Sequence, residues 1–156
     1  MASEHIYKQF DSDLEAIRAK VLEMGTLVEE QTANAVKSLI ETDIKLAEQV
    51  MKRDDQINDL ELAIDEEASL LIAKRSPAAG DLRNIMMMLK IITDLERMGD
   101  EAAKIARSTT RIFEDNRMSK PRFIEIKGMA KAVKDMIKTA LNSFARLDLS
   151  DTIDIL

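Results

Sequence analysis

The chain has 156 residues, enough for one domain or for a domain with an extension. Lys and Arg number 23 against 29 Asp and Glu, and the resulting net charge of −6 argues against nucleic acid as the main partner. Aromatic residues make up 3% and there are four Gly, two Pro and no Cys, which disfavours a sheet-rich fold and excludes disulfides, thiolate metal sites and cysteine nucleophiles. The composition predicts an all-α protein.

The first thirteen residues are polar and acidic, without the basic and apolar stretches of a secretory leader. The longest apolar run, residues 85–89, is far too short to cross a bilayer. The expected location is therefore cytoplasmic. Pro77 and Pro121 divide the chain, and Thr42-Asp43 offers two strong helix-capping residues. Four helices are predicted, at 5–41, 44–75, 78–114 and 122–147. Ser76 is expected to cap the third helix, with Pro77 as its first residue.

In the first helix Phe10, Leu14, Ile17, Val21, Met24 and Val28 alternate steps of four and three. That is the narrow seam of an antiparallel bundle. The second helix carries Val50, Asp54, Ile57, Glu61, Ile64, Ala68 and Leu71 on one stripe. The third carries Leu82, Ile85, Leu89, Ile92, Glu96, Gly99 and Ala103, and from Ile85 to Ile92 only Lys90 interrupts an apolar surface. A helix apolar on every side belongs at the centre of its bundle, with Met86-Met87-Met88 as adaptable core packing. The residues 115–120 read as a polar linker. Phe123, Ile126, Ala130, Val133, Ile137, Ala140, Phe144 and Leu147 form an unbroken stripe on the fourth helix.

Acids on otherwise apolar stripes are the candidate functional residues. Glu61 and Glu96 each have an aspartate one turn later, Asp65 and Asp100, and no other glutamate in the chain has Asp at i+4. Asp55 and Asp59 form a weaker pair nearby. With the hairpin turning at Pro77, Glu61 and Glu96 differ in height by only ~4–5 Å at the helical rise. Clustered carboxylates in a bundle must be neutralised by a cation or by nearby Arg or Lys, or must hold protons. Oxygen ligands favour Mg, Ca, Mn or iron over copper. The competing reading is a set of solvated edge acids, with Asp100–Lys104 as a surface pair and Arg97 as a counter-charge. The single His5 lies near the terminus and is expected in solvent. The Glu-x-x-His pairs of a ferritin-type di-iron bundle are absent.

Met24-Gly25, Asp54-Asp55-Gln56-Ile57-Asn58, Ile64-Asp65-Glu66, Ile72-Ala73-Lys74-Arg75-Ser76-Pro77-Ala78, Asp81-Leu82-Arg83 and Asp94-Leu95-Glu96-Arg97-Met98-Gly99-Asp100 occur in that order. Together they resemble the first half of the PhoU family of bacterial phosphate-signalling regulators, over about residues 5–150. The resemblance implies helical hairpins arranged as two pseudo-repeated three-helix bundles. Its (E/D)-x-x-x-D motifs bind metal clusters in some members, and Glu61, Asp65, Glu96 and Asp100 match them residue by residue. Ser76 stands where Gln is expected, and Gly80 where a polar residue is usual. No second Asp-Leu-Arg or Glu-Arg-x-Gly-Asp element follows residue 120, and residues 151–156 resemble the start of a fifth helix.

The expected architecture is thus a PhoU-like antiparallel bundle of long helices: a three-helix bundle over 1–115, a linker at 116–120, and at 121–156 the beginning of an incomplete second bundle. That describes a fragment or an abbreviated member. The implied function is negative regulation of the phosphate-starvation response, coupling a phosphate-specific ABC transporter to a membrane sensor histidine kinase. It would be exerted by docking rather than by chemistry, since no nucleophile–base set and no phosphate-cradling loop is visible. The rivals are a carboxylate bundle that stores or uses iron, manganese or magnesium, and a purely structural helical module. Because the helices that would complete its bundle are missing, the stripe on the fourth helix is expected to swing outward into a homodimer rather than fold back.

Overall fold

The computed structural model describes residues 2–114 and 123–147, with side chains over 8–113 and 123–147. The described residues form four helices and no strand: α1 (Ala2–Glu41), α2 (Ile44–Arg75), α3 (Ala79–Glu114) and α4 (Ile124–Arg146). The linker at 116–120, the segment 148–156 and the His5 side chain lie outside the described residues. No helix among the described residues is long and apolar enough to cross a membrane.

The two turns are built by capping chemistry. Thr42 ends α1 in the left-handed region at φ 60, and the Asp43 N–H donates back to the Ser38 carbonyl at 2.9 Å. Asp43 then begins α2, its carboxylate accepting from the Leu46 N–H at 3.0 Å. Ser76 acts differently from the expectation. It closes α2, at φ 45, with its N–H donating to the Ile72 carbonyl. The Ala78 carbonyl receives the first bond of α3, from the Leu82 N–H at 2.9 Å. An N-cap residue is extended, whereas Ser76 is left-handed and its N–H is spent on the Ile72 carbonyl, so it ends one helix instead of opening the next.

The core follows the first seam. Phe10, Ile17, Val21, Met24 and Val28 are buried together with Ile57, Ile64, Ala68 and Leu71 of α2 and Ile85, Met88, Ile92 and Leu95 of α3. A second cluster, Ala35, Ala47, Val50, Ala102 and Ala106, closes the other end of the bundle with small side chains. There Gln31, fully buried, donates to the Val50 carbonyl at 3.0 Å and ties α1 to the α2 backbone.

Two expectations are corrected here. Among the described residues the central helix is α1, which packs against α2, α3 and α4, whereas α3 packs against α1 and α2. Three consecutive methionines sweep too wide an arc of a helix to face inward together. Met88 is core, while Met86 and Met87 are 46% and 54% exposed. The second correction concerns α4, which lies along α1 of its own chain and does not swing away. Gly25 makes that approach possible, because a Cβ there would overlap the Leu141 side chain. Arg18 lies 5.7 Å from the centre of the Phe144 ring, Ile137 is buried, and Phe144 packs on the core. Only part of the α4 stripe is used: Val133 and Leu147 stay 42% and 73% exposed.

Candidate functional site

The acidic seam lies where α2 and α3 approach closely at Gly99. Gly99 sets the spacing: a Cβ built there would stand 2.7 Å from Ile57 Cδ1 and 3.5 Å from Asp54 Oδ1. Ile57 is fully buried and separates Asp54 from Glu61 along α2, so both acids border packed apolar surface. Across the seam, Glu96 and Asp100 occupy the matching stripe of α3, half-buried like Asp54 and Glu61.

The electrostatics show which carboxylates act on one another. Burial, then the charges of Asp100, Glu61 and Asp54, push the Glu96 carboxyl above its ordinary range, while Arg97 opposes the shift. Asp54 is likewise raised by burial, then by Asp100 and Asp55, with Arg107 opposing. The structure therefore brings together Glu61, Glu96 and Asp100, three of the four residues singled out by the sequence. It adds Asp54, an acid on the α2 stripe outside the i+4 pairs. Asp65 is exposed and is not among the charges acting on Glu96. Asp54 was findable: it lies seven residues before Glu61 on the same stripe, two turns away. The expected Asp100–Lys104 pair also changes, as Lys104 donates instead to Glu101 at 2.8 Å.

Oxygen donors of this kind suit hard cations. Among the described residues, however, no three acidic or histidine side chains are grouped so that they could hold one metal ion. The seam is a site of like-charge repulsion. A raised carboxyl binds more protons in the native than in the unfolded chain, so its contribution to stability falls as pH rises from the ordinary carboxyl range through the raised native value. The variant Asp54→Asn/Glu96→Gln should accordingly melt above the parent at pH 7, and the gap should shrink as the pH is lowered towards that range. Melting curves across pH check this; a constant gap would mean that the acids are not repelling.

A bundle of long antiparallel helices around a central α1, with a glycine-spaced acidic seam between α2 and α3, defines the class. The PhoU domain profile matches residues 21–109. The chain belongs to the PhoU family. It is similar to the phosphate-specific transport system accessory protein PhoU homologue of Pseudomonas putida, 46% identical over 147 residues, covering 94% of this chain and 57% of that protein. The Escherichia coli accessory protein PhoU is 37% identical, with 98% of this chain and 63% of that protein covered. The crystal structure of PhoU from Pseudomonas aeruginosa superposes with a TM-score of 0.88 at 43% identity, covering 93% of this chain and 69% of that one. This chain thus spans about three fifths of the length of these curated relatives.

Proposed function

We propose that this chain is a regulatory adaptor of phosphate uptake, which couples a phosphate-specific ABC transporter to a sensor histidine kinase and holds the phosphate-starvation response off when phosphate is plentiful. It works at the cytoplasmic face of the membrane by docking and catalyses no reaction. The observation that carries the reading is the match, over 94% of the chain, to an accessory protein of the phosphate-specific transport system. Long helices with exposed apolar side chains supply the kind of face that docks against another helix. The test is retention of both partners by a tagged chain from detergent-solubilised membranes of phosphate-replete cells. Recovery of transporter and kinase together is expected; recovery of neither contradicts the adaptor role.

The same proposal takes 1–115 as a first bundle and α4 as the first helix of a second. It also includes a homodimer formed through the part of α4 that α1 leaves uncovered. Met129 and Met136 are 61% and 47% exposed there, and Val133 borders a groove of about 520 Å³ lined by Met98, Ala102 and Ile105. Light scattering should give a dimer mass that falls to monomer in Val133→Asp/Met136→Asp; a monomeric parent rules the dimer out.

Cation binding by Glu61, Asp65, Glu96 and Asp100, with Mg, Mn or iron, is a second proposal. The mutual repulsion at Glu96 favours it, although the side chains would have to move to converge. Added divalent ions should raise the melting temperature of the parent but not of Glu61→Gln/Glu96→Gln. No ion-dependent shift in either would leave an unmetallated acidic seam.

A further inference from the structure

The turn joining α2 to α3 has a charge opposite to that of the whole chain. Residues 69–91 hold Lys74, Arg75, Arg83 and Lys90 against the single acid Asp81, in a protein of net charge −6. Arg75 is held by Asp13 at 3.5 Å. Lys74, Arg83 and Lys90 are exposed and have no acidic partner among the described residues.

Apolar side chains share that surface. Leu82, Met86 and Met87 are 38%, 46% and 54% exposed on the first turns of α3. Arg83 lies three and four residues before the two methionines, and Lys90 four and three after them, so cations and apolar groups occupy one outward arc of the helix. None of these three apolar residues lines the groove between α1, α3 and α4 described above. They stand on the exposed side of the hairpin, away from the groove that Lys74 lines with Leu70 and Leu71.

We infer that the α2–α3 tip is a docking surface for an anionic lipid bilayer, with Leu82, Met86 and Met87 entering the headgroup boundary and Lys74, Arg83 and Lys90 contacting the lipid phosphates. Apolar side chains flanked by cations on one arc are what an interfacial helix presents to such a surface. Flexible methionines fill irregular space between chains better than branched residues do. The acidic remainder of the molecule is repelled by the same membrane, so the field turns the tip towards it. Each cation near an anionic surface strengthens partition several-fold, and salt screens the effect. This surface stands apart from the adaptor reading: lipid binding and repression can fail independently.

Because the chain contains no cysteine, a single introduced thiol gives a unique label. Met87→Cys carrying an environment-sensitive dye should shift to the blue on vesicles of equal phosphatidylglycerol and phosphatidylcholine, but not on phosphatidylcholine alone. The same dye at Lys134→Cys, on exposed α4 surface, should not shift. Arg83→Gln/Lys90→Gln should weaken partition of the Met87→Cys protein by about thirtyfold. All four positions are exposed, and an unchanged helical circular dichroism spectrum verifies the fold. No shift at position 87 on anionic vesicles overturns the inference, as does an equal shift at both labelled positions. A dye that ignores every vesicle but responds to an acidic helical peptide assigns the tip to a protein partner and also overturns it.

Discussion

Ile57→Ala should lower the stability of the bundle by about 2–5 kcal/mol, the usual range for truncating a fully buried aliphatic side chain. Ile57 packs into the notch over Gly99 from the α2 stripe between Asp54 and Glu61. Truncation removes its contacts and leaves a cavity between two rigid helices that cannot collapse without bringing the acids closer. A domain of this kind has a total stability of about 5–15 kcal/mol, so the loss should be plain in a urea titration as an earlier midpoint at unchanged slope. Leu62→Ala, on the same helix but 68% exposed, should change stability by no more than about 0.5 kcal/mol. If Ile57→Ala cost less than about 1 kcal/mol, the α2–α3 seam would not be closed as described.

Much of the helical frame was legible because local chemistry set it. The bounds 44–75 match α2 to the residue, since Asp43 caps its start and Ser76-Pro77 stops it. The seam from Phe10 to Val28 became the core of α1 because period alone decides which side of a helix is apolar. What failed was anything requiring knowledge of neighbours. The apolar stretch 85–92 could not reveal that, among the described residues, α3 packs against α1 and α2 alone, or that Met86 and Met87 remain outside. The stripe of α4 showed that it had something to bury, but not that Gly25 opens a place for Leu141 on α1. Spacing along single helices picked out Glu61, Asp65, Glu96 and Asp100, but it could not show that the charges acting on Glu96 are those of Asp100, Glu61 and Asp54. The α2–α3 crossing at Gly99, which brings Asp54 within reach of Asp100 and Glu96, is a relation between helices.

Loss of the gene should have the largest effect of all, because a repressing adaptor acts on the whole response rather than on one contact. In the proposed role, the chain holds the kinase in its repressing state while phosphate is plentiful, and a cell without it leaves the kinase no report of transporter occupancy. The expected phenotype is therefore constitutive output, insensitive to added phosphate. Ile57→Ala should fall between deletion and parent to the extent that the folded population drops at growth temperature. Leu62→Ala should restore repression fully. The direct measurement is a phosphate-responsive promoter fused to a reporter, read in high phosphate in the deletion strain, with and without this gene on a plasmid. Constitutive expression that the plasmid copy returns to the repressed level is the predicted result, and unchanged repression in the deletion strain would contradict the account.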